Sequence, residues 1–149
     1  MRHRQAVVLF ALLGLMLSVY LTLYHYGYVG TLACSGSNEC EKVQASRYAE
    51  LFGIPVAAFG VAGYLSLLLV GLAGLQERWD GRPGPTRWLT ILSGAGVAFT
   101  AYLTALELFV IHAICRWCVT SAAIITLIFA ISLVSLLSLR TRPAASPPP

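Results

Sequence analysis

The stretch "CRWCVTSAAIITLIFAISLVSLLSLR", residues 115–140, decides the fold. Between Arg116 and Arg140 no side chain carries a charge, and the run from Trp117 to Leu139 exceeds the roughly 30 Å of a bilayer's hydrocarbon core at about 1.5 Å per residue. Three more stretches read the same way: Ala6–Tyr28, Gly53–Leu75 and Trp88–Ile111, the last interrupted only by Glu107. Lipid offers the backbone no hydrogen-bond partner, so each stretch must satisfy its own N–H and C=O groups as a helix. The whole composition agrees. Of 149 residues 58% are hydrophobic and 11% charged, where a soluble domain carries about 25% charged residues. The expected fold is an all-α integral membrane bundle of four spans (6–28, 53–75, 88–111, 117–139), a single domain over 1–140. The proline-rich end, 141–149, reads as a disordered tail.

Charge orients the bundle. Arg2, Arg4, Arg78, Arg82, Arg87, Arg140 and Arg142 fall on one side, and only Lys42, Arg47 and Arg116 on the other. The positive-inside rule then puts both termini in the cytoplasm of a multi-pass cell-membrane protein. This topology accounts for the net charge of +4 without a nucleic-acid partner. It also places the four cysteines outside: Cys34 and Cys40 after the first span, Cys115 and Cys118 at the start of the fourth. Thiol–disulfide chemistry persists in such oxidising compartments.

The segment Gly30–Leu51 is the one sizeable region outside the bilayer. Ser37 or Asn38 can cap a helix there, with Glu39 and Glu41 at its positive end. Val43, Arg47, Glu50 and Leu51 follow at helical spacing, the face of a short helix lying over the mouth of the bundle. Gly60 and Gly63, and Gly94 and Gly96, read as close-packing positions.

The C-x-x-C at Cys115 and Cys118 opens a helix, where unpaired N–H groups stabilise a thiolate. Cys115 is expected near water and Cys118 at the top of the buried helix. Static disulfides in a structural membrane protein, and a four-cysteine zinc site, are the bland alternatives. The sequence contains no glycine-rich dinucleotide fingerprint and no haem-attachment motif. By exclusion, a lipid-soluble quinone is the acceptor expected within reach of Cys118.

Together, the C-x5-C of Cys34 and Cys40, Ser46 six residues on, "SRYAELFGIPVAAFG" (46–60) and "ELFVIHAICRWC" (107–118) resemble the bacterial branch of the vitamin K epoxide reductase family, without a fused thioredoxin-like domain. The order of the two pairs separates it from the other quinone-coupled family, which places C-x-x-C first. The resemblance implies a thiol:quinone oxidoreductase that reoxidises a separate extracytoplasmic thioredoxin-like (DsbA-type) protein for disulfide bond formation. Cys34 would meet the partner, Cys40 would pass electrons to Cys115, and Cys118 would reduce the quinone (ubiquinone or menaquinone). Ser46 matches the family's serine, and Ala122 and Phe59 are expected to line the quinone pocket. Ala122 stands where vertebrate members carry tyrosine, and "GIPVAAFG" lacks their asparagine. Both departures favour quinone reduction over the alternative, vitamin K epoxide reduction. Glu107 is expected as a solvated or locally paired carboxylate near the outer interface, and His112 and His25 as interfacial histidines.

Overall fold

The computed structural model of the chain describes residues 2–34, 38–79 and 82–141. The tail from residue 142 and the capping candidate Ser37 lie outside the described residues. The spans are α1 (Arg2–His25), α3 (Val56–Gly74), α4 (Gly84–Leu106, extended by one π-helical turn, Glu107–Ile111) and α5 (Arg116–Thr141). All four are long and apolar enough to cross a membrane. Between α1 and α3 lie a short helix α2 (Glu39–Gln44), a 3-10 turn (Arg47–Ala49) and a two-stranded hairpin, β1 (Glu50–Leu51) with β2 (Ile54–Pro55).

Helix α1 packs on α3 and α5, and α5 packs on α4. In lipid these helices gain little from hydrophobic segregation, so close fit decides the packing. Small residues supply it. A side chain on Gly14 would overlap the Tyr64 ring, one on Gly60 would meet the Ser18 hydroxyl, and one on Gly96 would meet Ile125. Gly60, Gly94 and Gly96 are contact positions as expected, whereas Gly63 faces open space.

The two ends of the bundle differ in chemistry. At one end Arg4 is buried. A buried guanidinium needs acceptors, and Arg4 finds the carbonyl oxygens of Gly74, Trp79 and Arg82, which close the end of α3 and the loop after it. Arg78 and Arg82 flank the Trp79 ring in the same loop. At the other end are the cysteines and the segment that covers them.

That cover departs from the expected single helix. Helix α2 stops at Gln44 because Ser46 turns back on it: its N–H and its hydroxyl both reach the Val43 carbonyl, at 3.2 and 2.7 Å. Val43, Arg47, Glu50 and Leu51 therefore belong to three different elements and share no helical face. Phe52 and Gly53 then take positive φ (56° and 76°) to reverse the chain between β1 and β2. His25 at the end of α1 meets Glu50 of β1 at 3.0 Å and ties the cover to the bundle.

Candidate functional site: two cysteine pairs above a membrane cavity

The site starts with two turns of helix that face each other. Cys40 lies in α2 and is 1% exposed; Cys34, joined to it in a disulfide with the Cα atoms 6.5 Å apart, is half-buried. Cys115 stands at the N-cap place of α5, its carbonyl accepting from the Val119 N–H at 3.0 Å, and Cys118 follows in the first turn. Cys115 and Cys118 are free thiols. Cys40 and Cys115 share one buried cluster with Leu21, Leu32, Val43 and Ala113, and Cys34 and Cys118 pack against it. The four sulfurs, split by most of the chain length in sequence, thus gather at one end of the bundle.

Cys115 is 0% exposed, which corrects the expectation that it stays near water. The cover segment folds across it, and the burial is what brings Cys40 alongside. Trp117 adds to the roof: its ring meets the Tyr20 ring at 5.4 Å, and the Tyr20 hydroxyl accepts the N–H of Ala33, next to Cys34, at 3.3 Å. With Cys34 and Cys40 joined to each other, four-sulfur metal coordination is not the arrangement present.

The Cys115 thiol is lowered from its ordinary value to about 7, chiefly by the Cys118 thiol donating to its sulfur. Burial opposes this shift, the N–H groups of Cys118 and Trp117 assist it, and the charge of Glu107 works against it. The Cys118 thiol, with the N–H groups of the helix start in a supporting part, therefore favours the thiolate form of Cys115.

Below Cys118 lies a cavity of about 350 Å³ between the spans, lined mostly by apolar side chains. Its size and lining suit a small, largely apolar ligand. Phe59 and Ser46 line it, as does Cys118. Ala122 does not: it faces a separate groove between α4 and α5 with Val97 and Phe109, and the neighbouring Ser121 takes the cavity position instead. One residue of helix is about 100° of rotation, enough to move a side chain from one face to another. The Ser121 hydroxyl and carbonyl each lie 2.9 Å from the Tyr64 hydroxyl, a polar spot in the apolar wall.

The profile of the "Vitamin K epoxide reductase family" matches residues 5–133. The chain belongs to that family. Membership sets aside the reading of a structural protein with static disulfides: a vitamin K epoxide reductase family member is a membrane oxidoreductase of thiol–disulfide pairs, with quinone or vitamin K as the acceptor class. The residues present fit such an acceptor, since an apolar chamber with one redox thiol and a few hydroxyls is what a lipid-soluble ring requires.

Two contributors, Gln44 and the Tyr64–Ser121 pair, escape the sequence reading, and a third, Glu107, is named there with a different setting. Gln44 lines the cavity and points its amide N–H at the Cys118 sulfur, 4.0 Å away. Its spacing of four from Cys40 put it on the same helical face, a signal that was available. The Tyr64–Ser121 pair spans two helices and had no local signal. Glu107 was expected solvated or locally paired; it is 4% exposed, and its carboxylate accepts the Cys115 N–H at 3.1 Å. His112 ends the π-helical turn with a left-handed backbone, φ 52°, and stays exposed. It is a chain-reversal residue away from the cavity.

Proposed function

We propose that the protein is a membrane thiol:quinone oxidoreductase that reoxidises a separate extracytoplasmic thioredoxin-like protein, with its termini in the cytoplasm. The observation that carries the reading is the gathering of a half-exposed disulfide, a buried C-x-x-C and an apolar cavity in one continuous path. In this reading a thiolate of the reduced partner attacks Cys34, forming a mixed disulfide and freeing Cys40. The partner's second thiol attacks the mixed disulfide, and the partner leaves oxidised with Cys34 and Cys40 both reduced. Cys40 then attacks Cys115 of a Cys115–Cys118 bond and frees Cys118, and Cys34 resolves the new bond to restore Cys34–Cys40. Each exchange moves two electrons by thiolate attack along the sulfur–sulfur axis. The resulting Cys115–Cys118 dithiol is the form present in the structure.

The cavity is the place for the quinone, which supplies a two-electron, two-proton acceptor. Cys118 faces it, Phe59 and the apolar wall would hold the ring, and Gln44, Ser46 and the Tyr64–Ser121 pair would offer polar contacts. The disulfide cover buries Cys115, which leaves Cys118 as the thiol that faces the cavity.

The test replaces Cys118 with serine in the full-length protein and follows a short-chain quinone reduced at the expense of dithiothreitol. Loss of turnover is expected, together with retained reduction of Cys34–Cys40. Undiminished turnover would sink the proposal. Running ubiquinone, menaquinone and vitamin K epoxide in competition identifies the acceptor. In cells, a Cys40→Ser variant is expected to trap the partner on Cys34.

A further inference from the structure

Glu107 is a buried carboxylate that the relay above does not use. It begins the π-helical turn Glu107–Ile111, closed by the His112 N–H on the Glu107 carbonyl, which also accepts the Ala113 N–H at 3.2 Å. A π turn inserts an extra residue into the helical register, and such insertions recur at functional sites. Glu107, at the head of the turn, is buried beneath the start of α5. Oε2 accepts the Cys115 N–H at 3.1 Å, the Cys118 sulfur lies within reach of the same carboxylate, and Glu107 and Cys118 both line the cavity. The carboxylate thus touches both redox cysteines and the chamber. Among the described residues no cation pairs with it: the one ion pair is His25–Glu50. The cover segment approaches with uncharged Gln44, so Cys115 and Cys118 are the titratable groups that face it. A buried acid without a cation is costly to keep as a mere structural acceptor, since a neutral amide would serve as well.

We propose that Glu107 is the proton acceptor for Cys118 and the donor to the quinone held in the cavity, an inference that rests on the thiol:quinone reading. Closing the Cys115–Cys118 bond releases two electrons and two protons from the two thiols. Cys115 gives up its proton first, to solvent, and becomes the thiolate that attacks the Cys118 sulfur. The Cys118 proton moves to Glu107 as the sulfur–sulfur bond forms and the electron pair passes to the quinone. Glu107 then hands that proton to one quinone oxygen, and the other oxygen takes its proton from solvent. Cys115 cannot perform this task, because a sulfur that kept the Cys118 proton would no longer be the nucleophile.

Glu107→Gln separates this role from a structural one, because the amide oxygen still accepts the Cys115 N–H. In single turnover from the pre-reduced full-length protein to a short-chain quinone, the glutamine variant is expected to be slower by about 100-fold, the scale of general acid–base catalysis. Glu107→Asp is expected to recover part of the rate. Reduction of Cys34–Cys40 by dithiothreitol, read by thiol trapping, stays at the original rate. A second readout needs no quinone: infrared difference spectra between the dithiol and disulfide states of the unsubstituted protein. A change in a carboxyl band is expected between the two states, shifted in protein labelled with 13C-glutamate. Full turnover speed in Glu107→Gln, or no carboxyl change in the unsubstituted protein, overturns the proposal. If Cys118→Ser keeps full turnover, the thiol:quinone reading itself has failed; if only the Glu107 results fail, that reading stands.

Discussion

Cys115 takes the N-cap place of α5, where its sulfur collects the Cys118 thiol and two backbone N–H groups. These contacts favour the thiolate, and the shift has a testable sign. A thiol lowered to about 7 is protonated below that pH and ionised above it. Disulfide closure that uses Cys115 as nucleophile should therefore rise tenfold per pH unit below about 7 and level off above it. Stopped-flow quinol formation from pre-reduced protein between pH 5 and 9 measures the curve; a rate independent of pH across 7 would remove Cys115 as the titrating nucleophile. The C-x-x-C itself was plain in the sequence, because its spacing and its place before an apolar run are local facts. The burial of Cys115 was not, because it depends on α2 of the cover, more than seventy positions away.

At the scale of elements, the two ends of the bundle are held by different forces. Arg4 closes the end of α3 through three carbonyl oxygens, and hydrogen bonds to a charged group contribute about 1.5–3 kcal/mol each at most. Arg4→Ala is expected to lower stability by about 2 kcal/mol or more, read as a drop in thermal midpoint in detergent. The redox end should be untouched, with the same rate of Cys34–Cys40 reduction in the protein that remains folded. An unchanged midpoint would mean the guanidinium contacts contribute nothing net. The four spans were legible because continuous hydrophobicity leaves helix as the one way to satisfy the backbone in lipid. The cover was legible only as a region. Its helix ends at Gln44 because Ser46 competes for the Val43 carbonyl, and helical periodicity cannot register such a competition.

Across the whole molecule, the arginine-rich end and the cysteine end lie at opposite poles. With the arginine end in the cytoplasm, a membrane-impermeant maleimide applied to intact cells after mild reduction should label Cys34. A cysteine introduced in the Arg78–Trp79 loop should react only after the membrane is opened. The reverse pattern would place the cysteines in a reducing compartment and remove the basis for disulfide formation.

What the sequence by itself determined was the bundle: hydrophobic length, basic asymmetry and the two cysteine pairs are read from neighbours along the chain. Family membership was legible too, because spaced motifs survive without coordinates. The tertiary structure alone decided which side chains meet below Cys118. Ser121 rather than Ala122 faces the cavity, Gln44 reaches the Cys118 sulfur, and Glu107 meets the Cys115 N–H at the cavity wall it shares with Cys118. Each of these depends on the rotation of a helix about its own axis. Apolar residues surround these spans on every side, so no amphipathic pattern in the sequence marks that rotation, and packing against the neighbouring helices sets it.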